Sequence, residues 1–97
     1  MSSYILAHVQ VHDPEEYKKY LAGFIEAFNP FQGKILVATD QKQVLEGEWP
    51  EARTIVMEFP SRELAMAWYQ SEAYGKVAKH RMQAASTNMV LLEGYTR

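Results

Sequence analysis

Hydrophobic and polar residues alternate over the first stretch of the chain, YILAHVQVH at residues 4–12. One face of this stretch carries Ile5, Ala7, Val9 and Val11, and the other carries Tyr4, Leu6, His8, Gln10 and His12. Strict alternation is typical of a β-strand whose two faces meet different surroundings. The pattern therefore predicts a first strand with His8 on its more polar face.

The spacing of apolar residues changes to that of an amphipathic helix in DPEEYKKYLAGFIEAF, residues 13–28. Asp13 is the predicted N-cap, Pro14 occupies the first helical position, and Glu16 completes a capping pattern. One apolar face follows at helical spacing and consists of Tyr17, Tyr20, Leu21, Phe24, Ile25 and Phe28. A proline and a glycine in the next segment, NPFQG, end the helix.

The rest of the chain predicts four further strands, two of them the arms of a hairpin, and two capped helices. KILVATDQKQVLEGEW predicts two short strands around the polar turn TDQK, and the apolar run TIVMEF at residues 54–59 predicts an interior strand covered on both faces. Ser61 is the predicted cap of the helix RELAMAWYQ, Ser71 caps the helix that carries Arg81, and residues 88–95 form the last strand. The order β-α-β-β-α-β indicates a ferredoxin-like α+β fold with an antiparallel sheet.

Both helical regions of such a fold cover the same face of the sheet. The apolar strands at residues 54–59 and 89–92 then have no alternate polar face to present to water. A second copy of the chain, packed sheet against sheet, would cover this surface. The strand pattern therefore predicts a homodimer.

The composition narrows the choice of partner and location. The 97 residues fit one domain, predicted to span residues 1–97, and the net charge of -2 disfavours nucleic acid as a partner. The chain has no cysteine, which excludes disulfides and thiolate chemistry. It has no apolar run of about 18 residues and no leader-like start, so we expect no membrane association and a cytoplasmic location.

Four segments, DPEEYKKY, LEGEW, IVMEFPSRELAMAWYQSEAY and RMQAASTNMVLLEG, resemble in order and spacing the family called domain of unknown function 1330, in the dimeric α/β-barrel superfamily. The resemblance covers nearly the whole chain and implies a ferredoxin-like protomer that pairs into a two-sheet barrel. It implies no particular reaction. Gln32 stands where a second glycine is usual in the family, and Ser86 where an acidic residue is common. Related families include cofactor-independent monooxygenases, lactone isomerases and haem-dependent enzymes, an analogy of fold alone.

Arg81 lies in the middle of an apolar helical stripe whose other members are Tyr74, Val77, Ala78 and Ala85. An arginine side chain does not lose its charge, so a buried one needs an oxygen-bearing partner. Three alternatives follow. Arg81 clamps a ligand carboxylate or enolate, pairs internally with Glu58 or Glu93, or extends its charged end to solvent.

His8 and Glu58 are the candidate catalytic residues. An imidazole is a suitable general base near neutral pH, although a histidine that is hydrogen-bonded inside a dimer interface fits the pattern as well. Glu58 stands alone on an otherwise apolar strand, either as an acid or base or as the structural partner of Arg81. The candidate ligand-binding residues beside Arg81 are the aromatic Tyr20, Trp68 and Tyr74, which alternatively form part of the core.

We expect neither a metal site nor a cofactor, because His8 and His12 lie about 13 Å apart on one strand and no phosphate-binding loop is present. Two functional hypotheses remain. The chain is a small-molecule-binding protein or cofactor-independent enzyme acting on an anionic or aromatic small molecule, or it is a noncatalytic dimeric module with a ligand-free polar interior. A cavity of at least about 300 Å³ beside Arg81 favours the first hypothesis.

Overall fold

The computed structural model describes residues 2–95. Its elements in chain order are β1 (Ser3–Val11), α1 (Pro14–Phe28), a short 3-10 helix (Asn29–Phe31), β2 (Lys34–Thr39), β3 (Arg53–Phe59), α2 (Arg62–Tyr69), α3 (Glu72–Ala84) and β4 (Ala85–Glu93). The four strands form one antiparallel sheet in the order β2-β3-β1-β4. This arrangement confirms the predicted α+β, ferredoxin-like fold.

The predicted caps stand at the starts of the three α-helices. The side chains of Asp13, Ser61 and Ser71 each accept a hydrogen bond from the backbone N–H three residues later, at 3.2, 3.1 and 3.1 Å. Each bond satisfies an N–H that the helix itself leaves without a partner. These local signals explain why the helix starts follow so closely from the sequence.

The predicted second hairpin strand is wrong. β2 ends at Thr39 and pairs with β3, while residues 40–52, which we call the arm, contain no strand. Gly47 has a left-handed φ of 75° and Pro50 lacks a backbone donor, so both interrupt a ladder. The last strand begins at Ala85, three residues before the predicted start.

The turn between α1 and β2 contains Gln32, one of the residues that depart from the family pattern. Gln32 has a φ of 63°, in the left-handed region that glycine adopts without strain. The glycine usual at this position in the family would fit it with less strain. At the next residue, Gly33, an added Cβ would lie 2.7 and 2.8 Å from carbons of Phe28 and Phe59, so the turn packs directly on the core.

The three helices cover one face of the sheet. The core lies between them and the strands, and Trp68 at its centre packs against the rings of Phe28, Phe59 and Tyr74, with centroids 5.7, 5.6 and 4.1 Å away. Within the described protomer the opposite face, here called the open face, has no helix over it. The prediction that residues 54–59 are covered on both faces is therefore not met within one protomer.

Strand register arranges the open face in rows that cross the sheet. An apolar row consists of Val37, Val56, Leu6 and Val90, and the next row, which is polar, consists of Thr39, Thr54, His8 and Asn88. The outer row consists of Lys34, Glu58, Tyr4 and Leu92. The open face thus combines an apolar band with a polar band.

The helices of residues 2–95 are all too short or too polar to cross a lipid bilayer.

Candidate functional site

Arg81 lies in the last turn of α3 and is 5% exposed. The buried side of this helix also carries Tyr74, Ala78 and Ala84. The predicted stripe is confirmed at Tyr74, Ala78 and Arg81, whereas Val77 is only half-buried and Ala85 lies in β4. A cation near the C-terminal end of a helix interacts favourably with the exposed carbonyl dipoles. The helix therefore helps to hold a charge that burial alone would disfavour.

The guanidinium of Arg81 has no ion-pair partner among residues 2–95. Glu58 instead accepts a hydrogen bond from the Tyr4 hydroxyl at 3.0 Å on the open face, and Glu93 is exposed near the end of β4. The Nε of Arg81 is buried and has no hydrogen-bond partner in the same part of the chain. The structure therefore does not support the internal ion pair with Glu58 or Glu93.

Tyrosine side chains surround the guanidinium in place of a carboxylate. The Cζ of Arg81 lies 5.8 Å from the centroid of the Tyr20 ring, within cation–π range. Burial by itself lowers the pKa of Arg81, but the Tyr74 and Tyr20 hydroxyls outweigh this effect, so the net shift is upward. Arg81 is therefore a buried and permanently charged group.

The predicted ligand-binding aromatics come together beside Arg81. The Tyr20 and Tyr74 hydroxyl oxygens lie 2.9 Å apart, and Trp68 packs against Tyr74. Trp68 and Tyr74 have almost no exposed surface, so a ligand reaches neither of them without rearrangement. Burial, followed by the proximity of Tyr74, raises the pKa of Tyr20 far above its ordinary value, so Tyr20 is a neutral phenol rather than a base.

A cleft of about 400 Å³ opens between α3 and the helix-facing side of β4. Its walls are Tyr69, Arg81, Met82, Ala85, Thr87 and Met89. The Oγ1 of Thr87, like the Nε of Arg81, is buried without a hydrogen-bond partner in the described chain. Two unpaired polar atoms thus belong to residues that line one cleft.

A second cavity, of about 580 Å³, lies between α1 and the base of the arm. Tyr17 borders it, and burial raises the pKa of this tyrosine although the charges of Arg53 and Arg81 act to lower it. Arg53 also borders this cavity, but its guanidinium contacts Asp40 at 3.4 Å and donates to the carbonyl oxygen of Ala38 at 3.2 Å. Arg53 already has anionic and carbonyl partners, so Arg81 is the stronger candidate for a ligand anion.

The candidate catalytic residues His8 and Glu58 lie on the open face, across the sheet from Arg81. Their neighbours along the strands, Ala7 and Met57, belong to the helix-covered core, and alternation turns His8 and Glu58 the other way. The structure therefore does not bring these two residues together with Arg81. His8 contacts the ring of Trp49 edge-on, with centroids 5.1 Å apart.

Another histidine links the two long helices. The Nδ1 of His80 on α3 lies 2.6 Å from Oε2 of Glu16 on α1, which is the spacing of a hydrogen bond. Residues 2–95 contain no group of three histidine or carboxylate side chains placed to share a metal ion.

The comparisons with known proteins agree with this architecture. The family model for Domain of unknown function (DUF1330) matches residues 2–95. The chain belongs to this family. No functionally curated protein matches it by sequence.

Solved structures similar to this DUF1330 chain share its fold at low sequence identity. A protein of unknown function from Rhodopseudomonas palustris is 20% identical with a TM-score of 0.77, covering 99% of this chain and 84% of its own. SnoaB, a cofactor-independent oxygenase from Streptomyces nogalater, is 10% identical with a TM-score of 0.66, covering 99% and 95%. A dimeric ferredoxin-like protein of unknown function from Jannaschia sp. CCS1 is 6% identical with a TM-score of 0.68, covering 97% and 100%.

Three of the cleft residues, Met82 on α3 and Thr87 and Met89 on β4, were not predicted from the sequence. Thr87 and Met89 alternate with the open-face residues Asn88 and Val90, so the period of the strand carries the signal. That signal becomes usable only when the start of β4 is placed at Ala85. Because we predicted a start at residue 88, Thr87 lay outside the strand.

Proposed function

We propose that this DUF1330 protein binds a small carboxylate with an apolar body in the cleft between α3 and β4. The observation that carries the proposal is the charge of Arg81, buried at the cleft wall with no carboxylate beside it in residues 2–95. A buried charge normally has a paired partner, and a ligand anion would supply one. The cleft volume also exceeds the roughly 300 Å³ of a small-molecule site.

The walls of the cleft indicate the rest of the ligand. Tyr69, Met82 and Met89 offer an aromatic face and two adaptable thioether side chains. The hydroxyl of Thr87 adds a single hydrogen-bonding group near the charged end. An aromatic or branched carboxylic acid combines the charge and the apolar surface that these residues complement.

Binding, rather than catalysis, is the activity that the geometry supports. His8 and Glu58 lie on the other face of the sheet, and Tyr20 is held as a neutral phenol by burial. SnoaB shares the fold and is a cofactor-independent oxygenase, but the likeness at 10% identity concerns the fold alone. The cytoplasmic location stays a prediction.

We also propose that two protomers pair through their open faces. The apolar row on that face includes Val37 and Val90, and Leu92 in the outer row adds to it; all three are exposed in the protomer. Exposed apolar surface of this kind marks an interface. The Jannaschia protein, which is described as dimeric, supports the proposal.

The experiment compares benzoate with its uncharged analogue benzamide by thermal shift and calorimetry on the dimer. Benzoate is expected to raise the melting temperature of the wild type, approaching about 2.7 kcal/mol of stabilisation at 100 times its Kd, and benzamide is not. Arg81→Met should abolish the response and Arg81→Lys should keep part of it. Arg53→Met is the matched control, because it removes an arginine whose partners are already in the protein.

A benzoate response that persists in Arg81→Met would place the anion elsewhere. Equal responses to benzoate and benzamide would show that charge is not recognised. If a wider panel of aliphatic and aromatic carboxylates also gives no response, the noncatalytic module with a ligand-free interior is the better account.

A further inference from the structure

The polar row of the open face contains two buried atoms without partners. His8 on β1 and Thr54 on β3 are directly opposite each other in the antiparallel register. The Nε2 of His8 and the Oγ1 of Thr54 have no accessible surface and no hydrogen-bond partner among residues 2–95. Side chains that face each other in this way have Cβ atoms about 4.5–5.5 Å apart, so one small group can reach both.

The arm forms a cavity beside this pair. A space of about 510 Å³ lies between the arm and the outer strands, and its lining includes Val37, Thr39, Trp49 and Thr54. Trp49 and Thr54 are both neighbours of His8, the first by ring contact and the second by register. His8 itself does not line the cavity, but Trp49 both lines it and contacts His8, so a displacement of the Trp49 ring would open the cavity to His8.

Hydrogen bonds fix the base of the arm, and the middle of the arm makes none of these bonds. Lys42 donates to the carbonyl oxygens of Asp40 and Ala52 at 3.3 Å, and the backbone N–H of Gln41 donates to the Thr39 hydroxyl at 3.0 Å. These contacts hold the two ends of the arm together.

The unpaired atoms define the chemistry that fits the cavity. A single hydroxyl group can donate its proton to the Nε2 of His8 and accept one from the Thr54 hydroxyl, which satisfies both atoms at once. The indole of Trp49 and the side chain of Val37 offer apolar surface for a planar body. The one cation at the cavity, Lys42, is already bonded to backbone carbonyls, so the site has no unpaired charge for an anion.

We propose that the open face carries a second binding site, formed by His8, Thr54 and Trp49, for an uncharged aromatic molecule that bears a hydroxyl group. This site is separate from the Arg81 cleft, since the sheet lies between them. Its success or failure is therefore independent of the carboxylate proposal. It borders the proposed dimer contact, because Val37 belongs both to its lining and to the apolar row.

The test uses phenol and its methyl ether, anisole, as probes and follows the imidazole and indole signals by NMR. The chain has three histidines and two tryptophans, so each signal can be assigned by single substitution. Phenol is expected to shift the signals of His8 and Trp49 and to leave those of His12, His80 and Trp68 in place. Anisole, which has no proton to donate, should bind at least about tenfold more weakly.

Variants locate the hydrogen bonds. His8→Phe keeps a ring and removes the acceptor, and Thr54→Val keeps the shape and removes the hydroxyl, so each should weaken phenol binding at least about tenfold. His12→Phe, at the exposed end of the polar face of β1, is the matched control and should bind as the wild type does. Thr54→Val keeps the test decisive if His8→Phe does not fold.

Three results would overturn the proposal. Phenol could leave the His8 and Trp49 signals unchanged at millimolar concentration. Anisole and phenol could bind equally, which would exclude a hydrogen bond to His8. The His8 signal could respond to dilution of the protein instead of to phenol, which would show that a second copy satisfies the imidazole.

Discussion

The buried polar atoms on the two faces of the sheet have different surroundings. On the helix-covered face, large aromatic rings enclose Arg81, and Tyr20 and Tyr74 stand against its charge. On the open face, His8 has only the edge of Trp49 and the residues of its own row. The first arrangement carries a fixed charge, whereas the second is bordered by the arm, which contains no helix or strand. One sheet therefore offers two chemically distinct surfaces.

The largest difference between the faces should be seen in their tryptophans. Trp68 is 0% exposed and packs against four aromatic rings or more, so Trp68→Ala should lower the free energy of unfolding by about 3–5 kcal/mol. Trp49 lies on the open face, and Trp49→Ala should lower the free energy of unfolding by less than about 1 kcal/mol. Urea denaturation followed by circular dichroism measures both. Equal losses would mean that the arm is as much a part of the core as α2.

The hydroxyl pair beside Arg81 should have the next largest effect. Tyr74→Phe leaves the buried Tyr20 hydroxyl without its partner and removes an oxygen close to the guanidinium, which should cost about 1–3 kcal/mol. Tyr69→Phe is the control, since Tyr69 lies exposed on the rim of the cleft and should change stability by less than about 0.5 kcal/mol. Chemical denaturation of both variants measures these changes in the free energy of unfolding. A Tyr74→Phe variant as stable as the wild type would show that the two hydroxyls do not support each other.

Association should depend on the open face and not on the helices. Val90 and Ile25 are similarly exposed, at 49% and 51%, but Val90 lies in the apolar row of the open face and Ile25 on α1. Val90→Glu should weaken the dimer at least about tenfold, or about 1.4 kcal/mol, because it places like charges at a two-fold contact. Ile25→Glu should leave the dimer intact. Sedimentation at micromolar concentration would contradict the account if the wild type is a monomer or if Ile25→Glu dissociates it.

The smallest effect concerns the link between α1 and α3. The hydrogen bond with His80 holds the pKa of Glu16 below its ordinary value of 4.5, and Lys19 acts in the same direction. A carboxyl with a lowered pKa adds stability above its unfolded pKa, and this is lost as pH falls through the folded pKa. The melting temperature of the wild type should therefore be higher than that of Glu16→Gln near neutral pH, and this difference should disappear in acid. Glu15→Gln, which removes only a surface partner of Lys18, should show no such gap.

Local signals predicted the helices and the first strand, and long-range pairing decided the rest. Asp13, Ser61 and Ser71 cap helices through bonds three residues away, so their role is visible in the sequence. The segment after the turn TDQK was predicted as the second strand of a hairpin, yet strand β2 pairs with β3 and leaves the arm outside the sheet. Which segments pair with each other in the sheet depends on the whole fold.

The sequence indicated residues of the candidate site but not which of them lie together. Arg81 with its aromatic neighbours followed from helical spacing, which fixes one face of one helix. His8 and Glu58 were predicted as proton-transfer candidates alongside Arg81 without regard to which side of the sheet each residue faces. Alternation along β1 already separates His8 from the core, so this part of the error was avoidable.

The stability of ligand-free Arg81→Met tests the central claim, that the charge of Arg81 is held for a ligand. A cation–π contact adds about 0.5–1 kcal/mol, and the Tyr74 and Tyr20 hydroxyls offset the cost of burying the charge, so the account predicts that Arg81→Met changes the free energy of unfolding by less than about 1 kcal/mol. Denaturation of both proteins, dialysed free of carboxylates, gives the comparison. A loss of about 3–5 kcal/mol in Arg81→Met, partly restored by Glu58→Gln or Glu93→Gln, would show an internal ion pair and contradict the claim.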